Sequence, residues 1–200
     1  MALDPSNETR QDDSERRIEG ARILIIATHG FEQSELMVPL RALRERGARV
    51  DVATPDAETI RGWKDKNWGD PIDADLAIAD ARMADYDALV IPGGQMNPDM
   101  LRMNTQAVEL VRACERGGKV LAAICHGPWM LAEADVIDGV QVTSWPSLTV
   151  DLENAGAIWT DETVVVDDNI ITSRNPGDLD AFVDAITTLV AEQRAELPVA

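Results

Sequence analysis

Cys125 and His126 stand side by side at the end of an apolar run, Val120-Leu-Ala-Ala-Ile124, and are followed at once by Gly127-Pro128. An apolar strand that stops at a nucleophile and reverses into a helix is a nucleophile elbow, and the Gly-Pro pair supplies the reversal. The turn is tight and strained. It lifts the side chain at its tip above the sheet while helix N–H groups point at whatever binds there. A thiol, which ordinarily titrates near about 8.5, becomes a strong nucleophile where a helix N-terminus lowers that value, and this is the expectation for Cys125. Two further segments carry residue types suited to proton transfer or to close approach of the main chain. They are His29-Gly-Phe-Glu32-Gln-Ser-Glu35 and Pro92-Gly93-Gly94.

The elements that must position these residues can be read from the same pattern. Arg22-Ile-Leu-Ile-Ile-Ala-Thr28 is a continuous apolar run of the kind found in parallel strands buried on both faces, and it ends at His29-Gly30. From Ser34, the positions Leu36, Met37, Leu40 and Leu43 repeat at helical spacing until Gly47, with Pro39 expected to kink the helix. Arg49-Val-Asp-Val-Ala53 is a second strand and Asp87-Ala-Leu-Val-Ile91 a third, the latter ending at the paired glycines. The spacing predicts an amphipathic helix over residues 105–116, closed by Gly117-Gly118, immediately before the elbow strand. A strand at 140–143, a hairpin pairing 163–167 with 170–173, and a last helix over 179–192 complete the pattern. Residues 61–70, with Trp63 and Trp68, are expected to form a loop that packs an excursion or a subunit contact. Strands alternating with helices describe an α/β fold, an open parallel sheet with helices on both faces. In such sheets ligands bind beyond the carboxyl ends of the strands, where the strand order reverses. One crevice can then gather His29, Glu32, Glu35, Gly93, Gly94, Cys125 and His126.

Composition bounds the remaining possibilities. Two hundred residues with 45% apolar content suit a single domain, here expected over 21–195, after a polar leader at 1–20 without periodicity. With 36 acidic against 18 basic residues, the net charge of −18 argues against a nucleic-acid partner. Lysine occurs only at positions 64, 66 and 119, a balance that fits a halophile's acidic surface or a GC-rich genome. No apolar run is long enough for a membrane span and no signal core opens the chain, so the expectation is a cytoplasmic protein with no membrane partner. The two cysteines, Cys114 in a helical pattern and Cys125 at the elbow, have no spacing for a disulfide framework or a zinc knuckle and are expected to be reduced.

Four motifs, in order and at natural spacing over residues 22–190, resemble the ThiJ/PfpI family, the intracellular-protease-I-like branch of the class I glutamine amidotransferase-like superfamily. They are Gly30-Phe-Glu32-x-x-Glu35, Pro92-Gly93-Gly94, Ala123-Ile-Cys125-His126-Gly-Pro128, and Val164-Val-Val-Asp-x-x-Ile-Ile-Thr-Ser173-Arg-x-Pro176-x-Asp178-Leu179. The resemblance implies a flavodoxin-like three-layer sandwich that assembles as a homodimer or hexamer. It implies that Cys125 is the nucleophile and that a protonated Glu35 hydrogen-bonds its sulfur, which would stabilise the thiolate. It implies that the main-chain amides of Gly94 and His126 form an oxyanion hole. His126 resembles the family's catalytic histidine, although neighbouring side chains on a sharp turn diverge and the ring can miss the sulfur. In the peptidase branch an acid from a neighbouring subunit orients that histidine. The matching residue is Asp99, in place of the usual glutamate and one residue further from the glycines. His29 departs from the family pattern; it is either an extra acid–base group or substrate contact, or a cap for its loop.

The leading expectation is a cofactor-independent thiol enzyme of stress response, of glyoxalase or protein-deglycase type, acting on small carbonyl compounds such as methylglyoxal or on glycated proteins and peptides. The alternatives are a PfpI-type peptidase using Cys125, His126 and Asp99 across a subunit interface, and a non-catalytic redox sensor or chaperone. Glutamine amidotransfer is disfavoured because no histidine follows His126. No metal site is expected, although His29, Glu32 and Glu35 are metal-ligating types.

Overall fold

The computed structural model describes residues 17–196. The leader expected over 1–20 lies outside the described residues for its first sixteen positions. Of its last four, Ile18 is buried and donates its N–H to the Arg46 carbonyl.

In chain order the strands are β1 (Arg22–Ile26), β2 (Arg49–Thr54), β3 (Ile60–Lys64), β4 (Asn67–Ile72), β5 (Leu76–Ala77), β6 (Ala88–Ile91), β7 (Val120–Ile124), β8 (Gln141–Val142), β9 (Ile158–Trp159), β10 (Val164–Asp167) and β11 (Ile170–Ser173). The helices are α1 (Gln33–Glu45), α2 (Met96–Leu101), α3 (Thr105–Arg116), α4 (Trp129–Glu133), α5 (Thr149–Asn154) and α6 (Leu179–Glu196). None of the described helices is long and apolar enough to cross a membrane.

Seven strands form one sheet in the order β10-β11-β7-β6-β1-β2-β5, parallel throughout except for the β10–β11 hairpin at one edge. The central strands are buried on both faces, which is why they read as unbroken apolar runs rather than alternations. Their side chains nevertheless sort by parity. Ile23, Ile25, Val90, Ala122 and Ile124 pack with α1 and α6, whereas Leu24, Ile26, Leu89, Ile91, Leu121 and Ala123 pack with α3 and α4. These two apolar layers on either side of one sheet make the three-layer, flavodoxin-like sandwich.

From β1 the chain moves one way to β2, and from β6 the other way to β7, so the strand order reverses between β1 and β6. This is the switch point at which an open α/β sheet leaves a crevice. It lies directly beyond the residues singled out by their chemistry.

Several segments differ from the sequence reading: α6 runs on to Glu196, the strand expected over 140–143 is the two-residue β8 paired with β9 outside the main sheet, α2, α5, β5 and β9 were not expected, and the loop expected over 61–70 is a hairpin. Residues 60–72 form an antiparallel hairpin, β3–β4, in which Trp63 opposes Trp68. Gly62, Gly69 and Pro71 within these strands obscure the alternation that would mark them. Asp65 and Lys66, both at positive φ, make the two-residue turn without the usual Asn-Gly signature.

Candidate active site

Cys125 follows the last residue of β7 and has φ of +63°, the left-handed region that a non-glycine residue occupies only when its surroundings enforce it. The enforcement is visible. The Cys125 N–H donates to the Ser173 carbonyl at the end of β11 (3.0 Å), and the Gly127 N–H donates back to the Ile124 carbonyl (2.8 Å). The elbow inferred from the sequence is therefore present, with its strain at the nucleophile. The helix after it, α4, is only one turn long.

Glu35 lies in the first turn of α1, wholly buried beside the exit of β6. Its Oε2 accepts the Gly93 N–H at 2.9 Å, its carboxyl interacts with the Cys125 thiol, and Oε1 is buried without another well-formed hydrogen bond. Burial is the first cause of a pKa raised to about 8, and the negative charge of Glu32 adds to it. With that value Glu35 is a neutral acid at pH 7.

For Cys125 the direction is opposite to the sequence expectation. Burial pushes the thiol up, and a charge on Glu35 would push it further. The Gly94 and His126 amides act the other way by hydrogen-bonding to the sulfur, but they do not overcome the desolvation. One turn of helix carries too little dipole to reverse this balance. In the resting site the sulfur is a thiol and Glu35 a carboxylic acid. Loss of a proton by either strengthens the other's hold on its own.

Gly94 has φ of +76°, and a Cβ there would lie 2.3 Å from the Gly30 carbonyl oxygen and 2.5 Å from the Glu32 nitrogen. A Cβ on Gly93 would lie 2.5 Å from Glu35 Oε2 and 2.7 Å from the Cys125 Cβ. The paired glycines are therefore required for the β6 exit to pass between α1 and the elbow.

The His126 ring does reach the sulfur, with Nδ1 3.3 Å from Sγ. The ring stacks on Trp145 (centroids 6.2 Å apart, 23° between planes) and meets Trp129 edge-on (5.2 Å, 70°). Burial lowers its pKa, so it is a neutral imidazole near pH 7. Among the described residues no carboxylate hydrogen-bonds to it. Asp99 is exposed on α2 and is not brought to the ring within the chain.

Glu32 N–H donates to the Gly93 carbonyl (3.3 Å), and its carboxylate accepts from Ser34 Oγ (3.2 Å). His29 is exposed. Its Nδ1 accepts the Arg61 N–H (3.2 Å) and its ring stands edge-on to Trp68, so it fastens the β3–β4 hairpin to the exit of β1. No group of three or more His, Cys, Asp or Glu able to hold a metal occurs among the described residues.

Three residues that bear on the site were not assigned from sequence. Asn97, fully buried, accepts the Thr28 N–H (2.7 Å) and donates to the Pro92 carbonyl (2.8 Å), tying the exits of β1 and β6 together across the switch point. A polar residue wedged between Met96 and Pro98 just after paired glycines was its only signal. Trp129 and Trp145 were hidden because an aromatic side chain says nothing by itself about what it packs against.

Comparison with known families matches residues 21–189 to the DJ-1/PfpI family. The chain belongs to the DJ-1/PfpI family. A relative named deglycase TK1284, from Thermococcus kodakarensis, is 39% identical over 84% of this chain and 99% of its own length. General stress protein 18 of Bacillus subtilis is 39% identical over 82% of this chain and 94% of its own. Among solved structures, a two-domain protein from Anabaena variabilis containing DJ-1/ThiJ/PfpI-like and ferritin-like domains superimposes with a TM-score of 0.81 at 37% identity. That match covers 85% of this chain and 50% of the other. The elbow, the neutral glutamate and the paired glycines thus sit on a DJ-1/PfpI scaffold.

Proposed function

We propose that this chain is a cysteine-dependent enzyme of glyoxalase or protein-deglycase type, acting in stress response on reactive 2-oxoaldehydes such as methylglyoxal or on their adducts with protein side chains. The observation that carries the reading is the convergence on the Cys125 sulfur of a neutral Glu35 carboxyl, a neutral His126 imidazole and two main-chain amides. The names of the relatives from Thermococcus kodakarensis and Bacillus subtilis support it.

The sulfur attacks the aldehyde carbon, C1, as its proton passes to His126 Nδ1. The new C1 oxyanion is received by the Gly94 and His126 amides and takes a proton from the His126 imidazolium or from the Glu35 carboxyl, giving a hemithioacetal and leaving that group as a free base. A base, His126 or the ionised Glu35, removes the C1 proton; the double bond shifts through an enediol and C2 is protonated. C1 is then a thioester carbonyl and C2 a hydroxyl-bearing carbon, an internal redox exchange that needs no outside oxidant. Water cleaves the thioester, releasing a 2-hydroxy acid and restoring the thiol. Every step uses groups of this chain.

The test is conversion of methylglyoxal to 2-hydroxy acid by wild type, Cys125→Ala and Cys114→Ala. Cys114 is sealed in the core with its thiol pushed up to about 12 by burial, so its loss should leave the rate within about twofold. Removal of Cys125 should abolish turnover; an unchanged rate would remove the proposal's basis.

The 3.3 Å approach of His126 to sulfur also favours a second reading, PfpI-type peptide hydrolysis. It requires Asp99 of the partner subunit to orient the ring in a homodimer or hexamer. A strict monomer by size-exclusion chromatography, or peptide hydrolysis unaffected by Asp99→Ala, would dismiss it.

A further inference from the structure

The imidazole of a catalytic histidine has to be held in one orientation and one tautomer, a task usually done by a hydrogen-bonded carboxylate. Here the ring lies between two indoles, and the main chain of each tryptophan is tied to the catalytic dipeptide itself. The main-chain N–H of Trp145 donates to the carbonyl of Cys125 (2.9 Å), and the main-chain N–H of Trp129, in the turn that opens α4, donates to the carbonyl of His126 (3.1 Å). Trp145 then lies over one face of the imidazole while Trp129 presents its edge contact from another side.

Trp129 is fixed in turn. Its Nε1–H donates to Asp151 Oδ2 on α5 (2.9 Å), and the Arg102 guanidinium, paired with Glu133 at 3.0 Å, sits over its ring at 5.8 Å. Trp145 remains 42% exposed although its ring is committed to the imidazole. A large aromatic left partly in water at this point gains little from burial, so its placement is not accounted for by core packing.

We propose that Trp129 and Trp145 are positioning residues that hold the His126 ring with Nδ1 against the Cys125 sulfur, doing within one chain what an orienting acid does elsewhere, and that Asp151 acts through Trp129. Aromatic stacking fixes a plane without supplying a negative charge, so it steadies the imidazole while leaving it neutral. That agrees with the lowered pKa of the ring and makes His126 an acceptor for the thiol proton rather than a standing cation. The kinetic consequence rests on the reaction proposed above; the structural one does not.

The experiment therefore has two readouts. Long-range ¹H–¹⁵N spectra of the histidine rings are simple here, because the chain has two histidines and His126→Gln assigns them. In wild type the His126 ring should show a single Nε2-protonated tautomer at neutral pH. Trp145→Leu, which keeps apolar bulk without a flat ring, should shift the His126 signals toward exchange-averaged tautomers. Trp145→Phe should restore them, and Asp151→Ala should move them in the same direction as Trp145→Leu but less. With methylglyoxal, Trp145→Leu should lower kcat by roughly 10- to 100-fold with KM within about twofold, as expected for a misplaced catalytic group. Wild-type His126 signals in Trp145→Leu would overturn the proposal whether or not methylglyoxal is turned over. A shift in Asp99→Ala equal to that in Trp145→Leu would also overturn it, by assigning the orientation to an acid. Absence of wild-type turnover alongside the expected spectral shifts would refute the proposed reaction and leave the clamp standing.

Discussion

At the residue scale, the protonation of Glu35 organises the site. Its ordinary pKa of 4.5 is raised to about 8 by burial, so the folded state binds a proton that the unfolded chain releases once pH exceeds about 4.5. Stability contributed at this position is thus complete below pH 4.5, declines as pH rises toward 8, and is flat beyond. At roughly 1.4 kcal/mol for each pH unit of that window, the loss amounts to several kcal/mol. Glu35→Gln removes the titration. The difference in unfolding free energy, wild type minus variant, should therefore fall between pH 5 and pH 8 in urea titrations; a pH-independent difference would refute the neutral-acid assignment. Cys125, Glu35, Gly93 and Gly94, which the structure brings together, could be singled out in the sequence because each is tied to a local motif that only a few chemistries need. The direction of the Cys125 pKa was not legible, because desolvation depends on how deeply the elbow is buried, and no local motif encodes burial. The reach of His126 was likewise hidden. Side chains on a sharp turn do diverge, and it is Trp145, nineteen positions beyond the ring, that turns this one toward the sulfur.

At the element scale, the switch point depends on main-chain approaches that leave no room for a side chain. Gly94→Ala combines a left-handed backbone, costing about 1–2 kcal/mol, with a Cβ driven into the Gly30 carbonyl and the Glu32 amide. It should lower the urea midpoint without changing the slope of the transition, and it should depress activity more than stability by moving one of the two amides proposed to receive the oxyanion. The β3–β4 turn offers the opposite case. Asp65 and Lys66 both have positive φ, so replacing them with Asn-Gly should stabilise the fold by about 1 kcal/mol, read as a higher melting temperature with unchanged activity. The long helices and buried strands were legible in sequence because their apolar periodicities are sustained. The boundaries of α3 agree with the sequence reading, and those of the β10–β11 hairpin differ only at Thr163. The β3–β4 hairpin was not legible, since its glycines and proline break the period-two pattern and cross-strand contact between Trp63 and Trp68 compensates for them.

At the scale of the whole molecule, the sheet order makes three sequence-distant segments into one crevice. The order reverses between β1 and β6, which places the ends of these two strands at the switch point. The carboxylates outnumber basic residues two to one, 36 to 18, and their mutual repulsion opposes the compact state. Raising salt shrinks the screening length from about 10 Å at 0.1 M to about 3 Å at 1 M, so the melting temperature should rise over that range. A fall would mean that the ion pairs between arginine and carboxylate, such as Arg46–Asp184 and Arg174–Asp178, matter more to stability than the net charge does. Charge, however, says nothing of the proposed chemistry, in which the Cys125 sulfur forms a bond to a carbonyl carbon. The most direct measurement is ¹³C NMR of the protein with methylglyoxal labelled at C1. Wild type should show a protein-bound hemithioacetal resonance that is absent from Cys125→Ala; the same resonance in both proteins, or turnover that survives loss of the thiol, would contradict attack by Cys125.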